Sequence, residues 1–220
     1  MAQTPTTVLG AGTSALTTNK VLRNTYLLLG ATLGFSAITA YFSMAMNVPY
    51  MGLWMLLPYV GILYALHKTQ NSSWGILWTF VLTGFLGLTL GPILNFYLRS
   101  MPNGHETIVM ALGTTAVAFL GLSAYAVKSE RDFSFMRGFL FVGLIGAFVM
   151  GLAAYFFNLP TLSLVVSGMF LLLSSGVILY QTSEIIRGGE TNYIMATVTL
   201  YVAIYNMFVS LLRLLGAARD

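Results

Sequence analysis

Few residues in this chain could do proton, metal or nucleophile chemistry: six carboxylates and two histidines in 220 residues, with no cysteine. A carboxylate held inside an apolar span would mark an ion or proton path, because its insertion costs ~2.5–3.5 kcal/mol and such groups persist where they function. No acid occupies such a place. Glu106 and Glu190 read as loop residues, Glu130 and Asp132 belong to the charged run Lys128-Ser129-Glu130-Arg131-Asp132, and Asp220 is terminal. Only Glu184 lies near a span, three residues before Arg187, where an ion pair at the interface is available. His67 and His105 fall singly at opposite faces and make no metal site. The lack of Cys removes disulfides and thiolate chemistry. No nucleophile–base pair, phosphate loop, cofactor motif or metalloprotease helix is present, so an enzyme is not expected. Ser174-Ser175-Gly176 reads as close helix packing, and the last apolar segment has no Lys to form a Schiff base.

Uncharged polar groups are the remaining candidates. Asn95 follows Pro92 by about one turn and is placed to cap carbonyls freed by a proline kink. Gln181 and Asn206 lie on late apolar segments, where buried amides must find partners across helix interfaces.

The elements that hold these residues are long and apolar. Hydrophobic residues make up 57% of the chain and charged residues 7%, against about a quarter charged in a soluble domain. The charge is cleared from seven segments, at 26–46, 51–66, 74–98, 107–127, 138–157, 162–181 and 193–215. Most approach the ~20 residues that cross a hydrocarbon core. The chain is therefore an all-α, multi-pass membrane protein, expected as a seven-helix bundle over 25–220 behind a flexible tail over 1–24. Pro58 makes the second segment the weakest span. The first nineteen residues, Met1 to Asn19, lack the pattern of a signal peptide. Trp54, Trp74, Trp78, Tyr50, Tyr97, Tyr155 and Tyr193 cluster near span ends, as an interfacial belt requires. Gly30 with Gly34, Gly87 with Gly91, and Gly143 with Ala147 and Gly151 predict close helix contacts.

Lys20, Arg23, Lys68, Lys128, Arg131, Arg137 and Arg187, seven of the ten basic residues, fall at one face of the predicted bundle. The positive-inside rule puts that face and the N-terminus in the cytoplasm, and the C-terminus opposite. The net charge of +4 is too dispersed for nucleic acid and fits loops facing an anionic bilayer.

The C-terminal third carries a pattern: Tyr180-Gln181-Thr182-Ser183-Glu184, then Gly188-Gly189-Glu190-Thr191-Asn192-Tyr193-Ile194, then Leu200-Tyr201-Val202-Ala203-Ile204-Tyr205-Asn206-Met207-Phe208 and Leu211-Leu212-Arg213-Leu214-Leu215-Gly216. With Asp132-Phe133-Ser134-Phe135 and Thr25-Tyr26-Leu27-Leu28, this resembles the Bax inhibitor-one, or transmembrane Bax-inhibitor-motif, family. The match runs from about Lys20 to the end. The stretch from Lys20 to Tyr26, Gly91-Pro92-Ile93-Leu94-Asn95 and the run from Gly188 to Ile194 resemble its bacterial YccA branch most.

The resemblance implies a seven-helix fold with the last helix central, in the bacterial inner membrane. It also implies two activities. One is a pH-sensitive Ca2+ leak gated by paired Asp residues on the sixth and seventh helices. The other is association with the membrane AAA protease FtsH, modulating its action on membrane substrates such as a jammed Sec translocon. The branch is also an FtsH substrate, gripped by a tail that here would run from Met1 to Asn19. At the two Asp positions this chain has Gln181 and Ala203. Two close carboxylates share a proton and titrate as a pair; neither of these residues ionises. Glu184, one turn beyond Gln181, is the candidate for a displaced cation contact, with Asn95 and Asn206 as further pore groups. Two readings stand: a modulator of the protease, and a cation leak. Small-solute transport has little support, because no inverted repeat is visible.

Overall fold

Hydrogen-bonding demand in lipid leaves the apolar segments one solution, the helix. A computed structural model describes the backbone of residues 8–129 and 131–218, and side chains from residue 20 onward within those limits. It contains α1 (Val8–Ala45), α2 (Leu56–Thr69), α3 (Ser73–Ser100), α4 (Gly104–Ser129), α5 (Met136–Phe156), α6 (Pro160–Arg187) and α7 (Tyr193–Ala217). No strand occurs among the described residues. Six of these seven helices are long and apolar enough to cross a membrane.

The exception is α2. Its 14 residues reach about 21 Å at 1.5 Å per residue, against a hydrocarbon core of ~30 Å. A 3₁₀ turn, Gly52–Met55, precedes it. The expected span at 51–66 is thus a short helix reached through a tight turn. Pro58 lies in its first turn, where a missing N–H leaves no intrahelical bond unmade. The α1 helix begins at Val8, because extending a formed helix is easier than nucleating one. Residues 1–7, the first part of the expected tail, lie outside the described residues, as do Glu130 and Asp220.

The helices alternate in direction. Lys20, Lys68, Lys128 and Arg187 gather at one end, the basic end, and Asn47, Arg99 and Gly216 at the other. The last helix is central: 67% of its most apolar window is buried, against 17% in α5. The outer faces carry large exposed apolar side chains, such as Leu27, Phe139, Val142, Phe156 and Leu172, facing acyl chains rather than water.

Close packing of α1 on α3 follows small residues. The buried stripe of α1 is Val21, Thr25, Leu29, Thr32, Ser36, Ala40 and Ser43, at the three- and four-residue spacing of one helix face. Facing it, Gly84 meets the Phe35 ring, Gly87 meets Ser36 and Thr39, and Gly91 meets Ser43. A Cβ added at Gly30 or Gly34 would meet nothing within 4 Å, and both lie on the exposed face. Their spacing matches Gly87 and Gly91, but their phase on the helix is wrong for this interface. In α5, Gly143 meets Leu173, and Ala147 is fully buried. Gly176 meets Leu140, so the Ser174-Ser175-Gly176 segment does pack closely. Tyr97, expected in an interfacial belt, is instead buried, with its ring against Gly216.

Pro92 has no N–H, so the carbonyl of Leu88 loses its helical donor. Ser43 supplies the replacement, its Oγ donating to Leu88 O at 2.7 Å. The approach is possible because Gly91 has no Cβ to occupy the space that Ser43 fills. Asn95, expected to serve this carbonyl, caps α1 instead: Nδ2 donates to Met44 O at 3.0 Å. Arg99 donates to Asn47 Oδ1 beside it. Ser43→Ala should therefore destabilise the protein by about 0.5–2 kcal/mol, measured by unfolding in detergent. In a Pro92→Ala background the restored backbone N–H can donate to Leu88 O, and Ser43→Ala should then have much less effect. Equal effects in both backgrounds would contradict this assignment.

Candidate functional site

Antiparallel α6 and α7 meet at the basic end through a tight connection. Gly188 ends α6 in the left-handed conformation, at φ 77°, which glycine adopts without a Cβ clash. Gly189 and Glu190 then donate to Glu184 O at 2.9 and 3.1 Å. Asn192 starts α7: Oδ1 accepts from Ile194 N and Met195 N. Its Nδ2 donates to Gln70 O, tying the connection to the α2–α3 loop.

On this frame Gln181 and Ala203 are both buried, on α6 and α7. Neither can carry charge. The Gln181 Nε2 is buried without a hydrogen-bond partner among the described residues. Five other buried side-chain oxygens lack partners among those residues: Thr25, Tyr26, Ser123, Ser129 and Thr182. All lie on α1, α4 and α6, within about two turns of Lys20, Ser129 or Arg187.

Glu184 is half-buried at the basic end, its carboxylate folded over Gly189. Arg187, which the sequence spacing offered to Glu184, pairs with Asp132 at 3.2 Å. Asn206 lies elsewhere, lining a chamber that opens toward the opposite end. Asn95 belongs to the α1 cap. The structure therefore does not assemble Gln181, Ala203, Glu184, Asn206 and Asn95 into one site: none of the other four lines the Asn206 chamber. No cluster of three metal-ligating side chains occurs among the described residues.

A buried α7, a capped α6–α7 connection and uncharged core positions can be set beside known proteins. The sequence model of the family described as inhibitor of apoptosis-promoting Bax1 matches residues 18–220. The chain belongs to the Bax inhibitor family. Within the family it is 50% identical over 210 residues to the Escherichia coli K12 protein named modulator of FtsH protease YccA, covering 94% of this chain and 95% of that one. The same identity and coverage hold for a protein of E. coli O6:H1 named inner membrane protein YccA. A Vibrio cholerae protein named only as a membrane protein is 52% identical over 203 residues, covering 91% of both chains. Six apolar helices and these relatives make this family member a multi-pass protein of the bacterial inner membrane.

Sequence reasoning missed the groups that organise the family core in this chain. Tyr201 is 2% exposed and bridges three helices. Its hydroxyl donates to Thr83 O at 3.2 Å, so Ser36 Oγ is the donor in the 2.5 Å contact between Ser36 and Tyr201. Tyr205 pairs with Thr89 Oγ1 at 2.6 Å. A Tyr in an apolar run gives no sequence signal for this role.

Outside the spans, the α4–α5 loop is fastened to the end of α6. Asp132 pairs with Arg187, and Ser183 Oγ donates to Arg131 O at 2.9 Å. The backbone N–H of Ser134 donates to Asp132 Oδ1 at 2.8 Å and is the main reason the carboxyl sits below its ordinary value of 3.8, with Arg187 adding to the effect. A lowered folded-state value stabilises the folded form above the ordinary value, and that contribution is lost as pH falls below it. This fastening is therefore fully charged from pH 6 to 8 and does not sense neutral pH. In a carboxyl NMR titration, Asp132 should titrate below 3.8. Ser134→Pro should move it back further than Arg187→Gln does; the reverse order would contradict the assigned cause.

Proposed function

We propose that this protein modulates the membrane AAA protease FtsH in the inner membrane and is itself a substrate of that protease. The observation that carries this reading is the 50% identity, over 94% of the chain, to a protein named a modulator of FtsH protease. Supporting it is the core chemistry. With Gln181 and Ala203 at the two family Asp positions, a shared-proton gate has no carboxylates to work with. A Ca2+ leak of that kind is the reading set aside.

The basic end faces the cytoplasm in this proposal, where Lys20, Arg23, Lys68, Lys128, Arg131, Arg137 and Arg187 meet anionic headgroups. The N-terminal segment from Met1 to Asn19 is then on the side where an AAA ring can grip it. Glu184 and the neighbouring polar groups that lack partners among the described residues lie at that same end. The role is non-enzymatic: the chain acts by occupying or orienting the protease.

Two measurements test the proposal. In proteoliposomes holding FtsH and a membrane-embedded substrate, adding this protein should change the degradation rate of that substrate, with slowing expected. In cells, deleting residues 2–19 should lengthen the lifetime of this protein. An unaltered substrate rate would defeat the modulator role, and an unaltered lifetime would defeat the tail as handle.

A further inference from the structure

Because α2 is short, the end of the bundle opposite the basic one is closed by a 3₁₀ turn rather than a full helix. Behind that turn lie two adjoining chambers of about 450 and 420 Å³, among α3, α5, α6 and α7. Each is within the ~300–1,000 Å³ range of small-molecule sites. They share Tyr50, Phe148, Tyr155 and Arg213 in their walls.

The chemistry of the lining is one-sided. Arg213 is a cation bordering both chambers, and among the described residues no carboxylate lines either. Its Nη1 donates to Ser163 Oγ at 3.2 Å, which leaves further donors on the guanidinium fork. The ion pair of Asp132 with Arg187 is at the far end of the bundle. Farther along α7 the walls are Phe85, Leu86, Ile93, Phe148, Val202 and Val209. The Asn206 amide and the hydroxyl-bearing Tyr59, Thr89 and Tyr205 are among them. Val202, Val209 and Arg213 stand on one face of α7, so the lined depth from Val202 to Arg213 is about 16 Å.

A chamber with a charged fork at its mouth and a largely apolar interior matches an anion that carries a chain. Arg presents parallel donors to carboxylate or phosphate oxygens, and the interior provides surface for methylenes. A Ca2+ ion would meet a positive charge and no carboxylate. We propose that this cavity binds a single-chain anionic lipid, its carboxylate or phosphate at Arg213 and its acyl chain along Val209 toward Val202. The site is independent of the protease reading and of Gln181 and Ala203.

The test uses the full chain in phosphatidylcholine nanodiscs, with bound ligand counted by native mass spectrometry. The probes are oleate, lysophosphatidylglycerol, lysophosphatidylcholine and inorganic phosphate. Oleate and lysophosphatidylglycerol should bind more tightly than lysophosphatidylcholine. Arg213→Gln should weaken both anionic lipids by about tenfold or more, the effect of losing a charge-assisted contact, and leave lysophosphatidylcholine unchanged. Arg213→Lys should retain part of the affinity. Val209→Phe, which fills the interior and keeps the charge, should weaken the same two lipids. Equal binding of lysophosphatidylglycerol by the native protein and Arg213→Gln would overturn the proposal. So would inorganic phosphate binding as tightly as the lysolipid, since the chain would then contribute nothing.

Discussion

The hydroxyl of Tyr201 is the contact on which the rest of the bundle depends. Tyr201 is buried inside the helix bundle, so its hydroxyl needs hydrogen-bond partners there. It donates to the Thr83 carbonyl on α3 and accepts from Ser36 on α1. One group on α7 thereby fixes the spacing and register of two neighbouring helices. Thr197, one turn earlier on α7, shares its hydroxyl proton between Tyr193 O at 2.7 Å and Thr25 O on α1 at 3.2 Å, and Tyr205, one turn later, pairs with Thr89 on α3. The three contacts form a polar seam along α7. Packing without hydrophobic drive between helices rests on such contacts and on close backbone approach, and Gly84, Gly87 and Gly91 on α3 allow that approach.

The seam has functional consequences. It places α7 at the centre, and positions 181 on α6 and 203 on α7 are both buried. Here they are Gln and Ala, and the core is neutral. Among the described residues, charge is confined to the ends. At the basic end, the loop after α4 is fastened to α6 by Asp132 and Arg187. At the other, the short α2 leaves a chamber bordered by Arg213. A bundle with a neutral centre and two chemically distinct ends suits a protein that acts through contacts more than one that moves divalent ions through its core.

Much of the fold was legible in the sequence. Clearing charge from long segments marked the helices, and the start of α7 at Tyr193 agrees with its expected position. The ordered family pattern pointed to the central last helix. The short second helix was only partly legible: Pro58 flagged weakness, but a 3₁₀ turn ahead of it has no clear sequence sign. Glycine spacing could not separate the buried pair, Gly87 and Gly91, from the exposed pair, Gly30 and Gly34, because helical phase is set by the whole buried stripe. Asn95 was a reasonable partner for a carbonyl freed by Pro92, yet Ser43, distant in sequence, holds it. Long-range polar pairs of this kind, Ser36 with Tyr201 among them, depend on which helices become neighbours. The candidate pore residues were readable one by one, but their dispersal among a cap, a loop end and a chamber was not.

The most direct test of a neutral core is Ca2+ flux through liposomes holding the purified protein, compared at pH 6 and pH 8. A neutral core predicts no flux above empty liposomes at either pH, with pH-dependent flux in the Gln181→Asp/Ala203→Asp variant, where paired carboxylates return to the core. A native protein that already leaks Ca2+, to different extents at the two pH values, would contradict it.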